Sequence, residues 1–149
     1  MIVYHYTHLK AGISILQDTF LEVPEVLNNN LKPAIWFSKQ NKYEPSVLKN
    51  NNSFEDQLKT IGCMRFVYDD TKELISWEEY KNMLGLDKMK IENIESNYYE
   101  NGYMPSDWFC SLNNISLKQL ESIEVYTDKW DWAVEDNIQI AIKNARSIS

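Results

Sequence analysis

The chain has 149 residues, 44% of them hydrophobic and 13% aromatic, with five Trp and nine Tyr. So much rigid apolar area excludes a disordered chain and suits one packed domain over 1–149. The formal net charge of −7 argues against nonspecific binding to a nucleic-acid backbone, and no apolar run approaches the roughly 18 residues of a membrane span.

The stretch MIVYHYT is short, β-branched and aromatic, which predicts a strand. Leu9, Ile13, Leu16 and Phe20 then recur at helical spacing, with Thr7 or His8 near the helix start. LEVPEVL reads as an extended piece broken at Pro24, and NNNLKP as a loop. AIWFS is a second strand, apolar up to Ser38 as a central strand would be. The polar stretch NKYEPSVLKNNNS reads as an exposed loop with one helical turn. A short helix FEDQLKTI follows, capped by Ser53 and stopped by Gly62.

CMRFVYD is a third strand whose alternation puts Cys63, Arg65 and Val67 on one face and Met64, Phe66 and Tyr68 on the other. Ser76 and Glu79 form a capping box ahead of a helix that continues through MKIENIESNYYE to a stop at Gly102. MPSDWFCSL enters a fourth strand, SIEVYT is a fifth, a turn falls at Asp128 and Lys129, and VEDNIQIAIKNARS is a terminal helix. Helices falling between early and late strands predict an α+β fold, with a mixed or antiparallel sheet of about 5–7 strands. With four glycines, neither a P-loop nor a GxGxxG turn is available.

Few residues carry candidate chemistry. On the first strand, His5 and Thr7 share a face opposite Tyr4, Tyr6 and His8. His5 is either a core histidine satisfied by a backbone carbonyl or a ligand contact of fixed tautomer. Arg65, inside an apolar run, needs an anion: one of the 22 acids in an internal salt bridge, or a ligand phosphate. Glu44, in the loop after the second strand, is a solvated surface residue or reaches a site when that loop closes. Trp77, Trp130 and Trp132 read as packing residues, Glu78 and Glu79 as a solvated helix face, and Trp108 as a possible ligand contact. Cys63 and Cys110 show no zinc spacing, so no metal is expected. With no leader ahead of the first strand, they read as free thiols of a cytoplasmic protein. They are small buried hydrophobes, or one is a nucleophile if a histidine reaches it.

VYHYTHLKAGISILQDTFLEV followed by PAIWFSKQNKYEPS resembles the opening of ADP-ribosyltransferase-like proteins, in the branch whose first strand carries a histidine. The likeness covers about the first 50 residues, and GYMPSDWF to ISLKQLESIEVY more loosely. It implies NAD as substrate, nicotinamide as product and a protein or other macromolecular acceptor. On this likeness His5, Tyr6 and Thr7 meet the dinucleotide, with His5 orienting a ribose. Trp36, Phe37 and Ser38 stand in the second motif, where a tyrosine usually stacks on nicotinamide; Arg65 would meet pyrophosphate and Trp108 would line the site. The third motif, usually glutamate, falls on Asp107, with Glu100, Glu135 and Asp136 as rivals, so Asp107 and His5 are the expected catalytic pair. A non-catalytic module binding a nucleotide or a protein on the same scaffold is the alternative.

Overall fold

The computed structural model describes residues 1–25, 31–48 and 53–146. The asparagine runs at 28–30 and 50–52, read above as loops, lie outside the described residues. The fold is α+β: a seven-stranded, wholly antiparallel sheet, a two-stranded ribbon and five α-helices among the described residues. The strands are β1 (Ile2–Thr7), β2 (Phe20–Leu21), β3 (Ile35–Ser38), β4 (Met64–Asp69), β5 (Ile75–Ser76), β6 (Trp108–Ser111), β7 (Ile115–Ser116), β8 (Ser122–Tyr126) and β9 (Trp130–Trp132). The large sheet runs β5-β6-β3-β1-β4-β8-β9, and β2 pairs with β7.

The helices are α1 (Leu9–Asp18), α2 (Phe54–Thr60), α3 (Trp77–Met83), α4 (Lys88–Glu100) and α5 (Glu135–Asn144). Helix α1 stops two residues short of the expected Phe20. Thr19 takes a left-handed φ of 68°, and Phe20 and Leu21 turn out to pair with Ser116 and Ile115. His8 caps α1, its Nδ1 accepting from the Ala11 amide at 3.3 Å. The helix expected to run unbroken to Gly102 is two helices. Gly85, at a φ of +67°, ends the first, and Asp87 caps the second through the Lys90 amide.

One face of the sheet carries Val3, Phe37, Met64, Phe66 and Val125 beneath Leu9 and Ile13 of α1 and Ile138 and Ala141 of α5. Helix α1 lies so close to β4 that a Cβ on Gly12 would stand 2.5 Å from Met64 Sδ. The other face carries two aromatic clusters. Trp36, Trp108 and Cys110 pack with Trp77 and Tyr80 of α3 and Tyr98 of α4, while Tyr6 and Cys63 pack with Phe54 of α2 and with Trp130.

The sheet is not uniformly zipped. β1 pairs with β4 at six positions, Ile2 to Thr7, but with β3 at one, Tyr4 to Ser38. Strands β1 and β3 therefore part on either side of that pair, and the candidate site lies against this parting.

Candidate functional site

A cavity of about 510 Å³ opens on the face of the sheet that bears α3 and α4. That is a ligand-sized volume. Its floor is a row across three strands, Tyr4 of β1, Ser38 of β3 and Trp108 of β6, which are successive partners in register. Trp36, Trp77, Tyr80 and Tyr98 add aromatic walls. These rings brace one another edge-on, Trp36 against Tyr80 at 4.7 Å and Tyr98 against Trp108 at 5.1 Å between centroids.

Two carboxylates line this cavity: Glu25 is exposed, whereas Glu44 is only 4% exposed. Its Oε1 accepts from Ser38 Oγ at 2.8 Å and Trp108 Nε1 at 3.1 Å, and its Oε2 accepts from the Ser46 amide at 2.8 Å. Three of about four acceptor positions on the carboxylate are thus filled. The local sequence helps: Glu44 caps a 3-10 turn, Pro45–Val47, that starts with a proline.

The segment leading to Glu44 is held at every residue. The Lys39 amide donates to the Asp107 carbonyl at 2.9 Å. Tyr6 Oη donates to the Gln40 carbonyl, and Gln40 Nε2 donates to Asp107 Oδ2 at 2.7 Å. Arg65 Nη1 donates to the Asn41 carbonyl at 2.6 Å and Trp130 Nε1 to the Lys42 carbonyl at 2.9 Å. The Tyr43 ring stacks on Phe54 at 4.9 Å. A loop so tied places its carboxylate in advance rather than closing over a ligand.

His5 stands at the parting of β1 and β3. Its Nδ1 lies 2.8 Å from the Trp36 carbonyl oxygen, and its ring packs against Phe37 and Phe66 at 5.8 and 6.2 Å. A carbonyl only accepts, so Nδ1 carries the proton and Nε2 of the neutral ring is an acceptor. Burial pulls the imidazole below its ordinary pKa of 6.5, against a smaller upward pull from the Trp36 carbonyl. His5 is thus a core histidine bonded to a backbone carbonyl and also part of the cavity lining.

The other expected residues divide. Tyr6, Trp36, Phe37, Ser38 and Trp108 line the cavity; Thr7, Arg65 and Asp107 do not. The Asp107 carboxylate is committed to Gln40. Arg65 is 8% exposed and meets Glu124 Oε1 through Nε at 2.6 Å, with its guanidinium 4.4 Å from the ring centroids of both Tyr4 and Trp130. The internal salt bridge is therefore its observed partner. Glu135 and Asp136 begin α5 and Glu100 ends α4; none lines the cavity. Burial pushes both thiols up to about 12, and neither cysteine lines the cavity. Cys63 Sγ points to the Met64 carbonyl rather than to an imidazole.

Among the described residues, no three His, Cys, Asp or Glu side chains converge as metal ligands, and no helix is long and apolar enough to cross a membrane. Family models, curated proteins and solved structures give no match to this chain, so the chemistry of the site rests on its own geometry.

Proposed function

We propose that the chain binds an NAD-type dinucleotide by its nicotinamide half and transfers ADP-ribose to a protein acceptor or to water, with Glu44 as the carboxylate at the reacting ribose. The observation that carries this reading is a buried carboxylate with an unfilled acceptor position, set among aromatic rings in a ligand-sized cavity. The reaction breaks the bond between the nicotinamide nitrogen and ribose C1′. Nicotinamide leaves with the electron pair, and C1′ bonds to an acceptor oxygen or nitrogen, whose proton goes to solvent. Positive charge develops on the ribose as that bond breaks. A fixed carboxylate stabilises this charge, and its open acceptor position suits a ribose hydroxyl. His5 fixes the Trp36 carbonyl at the cavity edge.

The acidic chain favours a protein acceptor over a nucleic acid, and two buried free thiols suit a reducing cytoplasm. The test is nicotinamide release from NAD, followed by chromatography, for the unmodified chain and for Glu44→Gln. The expected result is release that falls by about 10²–10³-fold in the variant, the size of effect seen when one preorganised charge-stabilising group is lost. No release from the unmodified chain would remove the transferase reading.

One observation supports the non-catalytic alternative. With Arg65 committed to Glu124 and Asn41, Lys32 is the one cationic side chain among the described residues lining the cavity, so a pyrophosphate finds little to hold it. A rise in melting temperature with NAD, without nicotinamide release, is the mark of that alternative.

A further inference from the structure

Glu44 is the one acid buried outright among the described residues, and two of the partly buried acids have a cation. Glu124 pairs with Arg65 at 2.6 Å and Glu95 with Lys81 at 3.1 Å. The side chains of those two acids are still 20% and 18% exposed. Glu44 is more deeply buried and has neutral donors only, from Ser38, Trp108 and the Ser46 amide. Among the described residues no Lys, Arg or His nitrogen comes within 4.0 Å of it. A buried charge is ordinarily matched by an opposite one, so the missing cation is the feature to explain.

We infer that the ligand supplies it: the cavity selects a group with a delocalised, weakly hydrated positive charge, a pyridinium or a methylated ammonium, and Glu44 is the counter-charge. The inference rests on the reading of this cavity as the ligand site. The aromatic walls agree with it, because ring faces attract cations of this kind and do nothing for an anion. A neutral ligand would leave the carboxylate unpaired. A bare metal ion would find no cluster of three acidic, histidine or cysteine ligands among the described residues, and a largely ring-lined wall in place of the several oxygens it needs. The chemistry fits the oxidised nicotinamide ring, whose charge disappears when nicotinamide leaves. The same arrangement would then hold substrate more tightly than product.

The experiment is calorimetric titration of the full chain with 1-methylnicotinamide, a cation, and with nicotinamide, its neutral near-isostere, repeated for Glu44→Gln and Trp36→Leu. The expected result is that the cation binds at least about tenfold more tightly than the neutral ring, from paired charge and ring-face contact together. The preference should fall to within about threefold in Glu44→Gln and should weaken in Trp36→Leu. Equal affinity for the two probes, or binding of neither, overturns the inference, and this comparison needs only the unmodified chain. A preference that survives intact in folded Glu44→Gln overturns it as well. Cation preference without nicotinamide release from NAD upholds the inference and removes the transferase. Release with no cation preference does the reverse.

Discussion

Arg65→Met tests whether the scaffold behind Glu44 is held as described. Arg65 is 8% exposed, and its guanidinium makes three hydrogen bonds: to Glu124 at 2.6 Å, to the Asn41 carbonyl at 2.6 Å and to Tyr6 Oη at 3.4 Å. It also lies between the Tyr4 and Trp130 rings, 4.4 Å from each centroid. Methionine fills much of the same space and leaves Glu124 without its cation. Removing one member of a buried pair costs about 3–5 kcal/mol, and the lower end applies because the Glu124 side chain is still one-fifth exposed. The orphaned Asn41 carbonyl adds about 1 kcal/mol. Two cation–π contacts, about 0.5–1 kcal/mol each, are largely offset by sulfur–aromatic contacts of similar size. The expected loss is about 4 kcal/mol. At ~2–4 °C per kcal/mol for a chain of this size, that is a fall in melting temperature of about 8–16 °C. Urea unfolding followed by tryptophan fluorescence measures it. The double variant Arg65→Met with Glu124→Leu leaves no stranded charge and should regain at least about half of the loss. The reasoning is refuted if the single variant costs less than about 1 kcal/mol, or if the double variant is no more stable than the single.

Three further outcomes follow from other parts of the fold. Because burial lowers the His5 pKa below 6.5, the unfolded chain binds the extra proton first, so this contribution is complete above pH 6.5 and is lost as pH falls towards the folded-state value. Subtracting the urea stabilities of His5→Gln, which does not titrate, from those of the unmodified chain should give a difference that changes by up to about 1.4 kcal/mol per pH unit below that point; a difference that does not vary with pH contradicts it. With both thiols near 12, only about one part in ten thousand is thiolate at pH 8, so iodoacetamide should label neither cysteine in the native chain and both in urea, as read by mass spectrometry. Gly12→Ala should destabilise by about 1–3 kcal/mol despite alanine's higher helix propensity, since its Cβ would meet Met64 Sδ at 2.5 Å and Met64 Cβ at 3.0 Å; a stabilised variant would show that α1 can lift off β4.

The long strands and the helix caps were legible because each is written locally. β1, β3, β4 and β8 follow their β-branched and aromatic runs, and the Ser53 and Ser76 caps stand where their spacing puts them. The alternation in β4 correctly divided Met64, Phe66 and Tyr68 from Cys63 and Arg65. The two-residue strands β2, β5 and β7 were not legible, because pairs such as Phe20 with Ser116 exist only once distant segments meet. The same holds for Glu44, a polar loop residue whose burial is created by Ser38 six positions away and Trp108 sixty-four away. Asp107 stood out because it directly precedes a strand. Strand alternation held the contrary signal: with Trp108 and Cys110 turned inward on β6, the residue just before Trp108 tends to face away. One local clue to Glu44 existed in the order Glu-Pro-Ser, where an acid ahead of a proline can cap a turn through the following amide.

On the proposed reading of the cavity, one feature of the sheet, at His5 and Glu44, serves both stability and binding. Where β1 and β3 part, the lost ladder pairs must be made good by side chains, and His5 does so at the Trp36 carbonyl. Trp36, beyond the last β1–β3 pair, and Ser38, at that pair, both border the cavity, and Ser38 in turn holds Glu44. The first role is met by any neutral donor of the right reach, so glutamine at position 5 should preserve the fold. The second role is not a requirement of folding. A buried carboxylate without a cation beside it adds less to stability than a completed ion pair does. Glu44→Gln should therefore cost less stability than Arg65→Met although Glu44 is the more buried residue. Arg65 completes a pair inside the protein, whereas the partner of Glu44 arrives with the ligand.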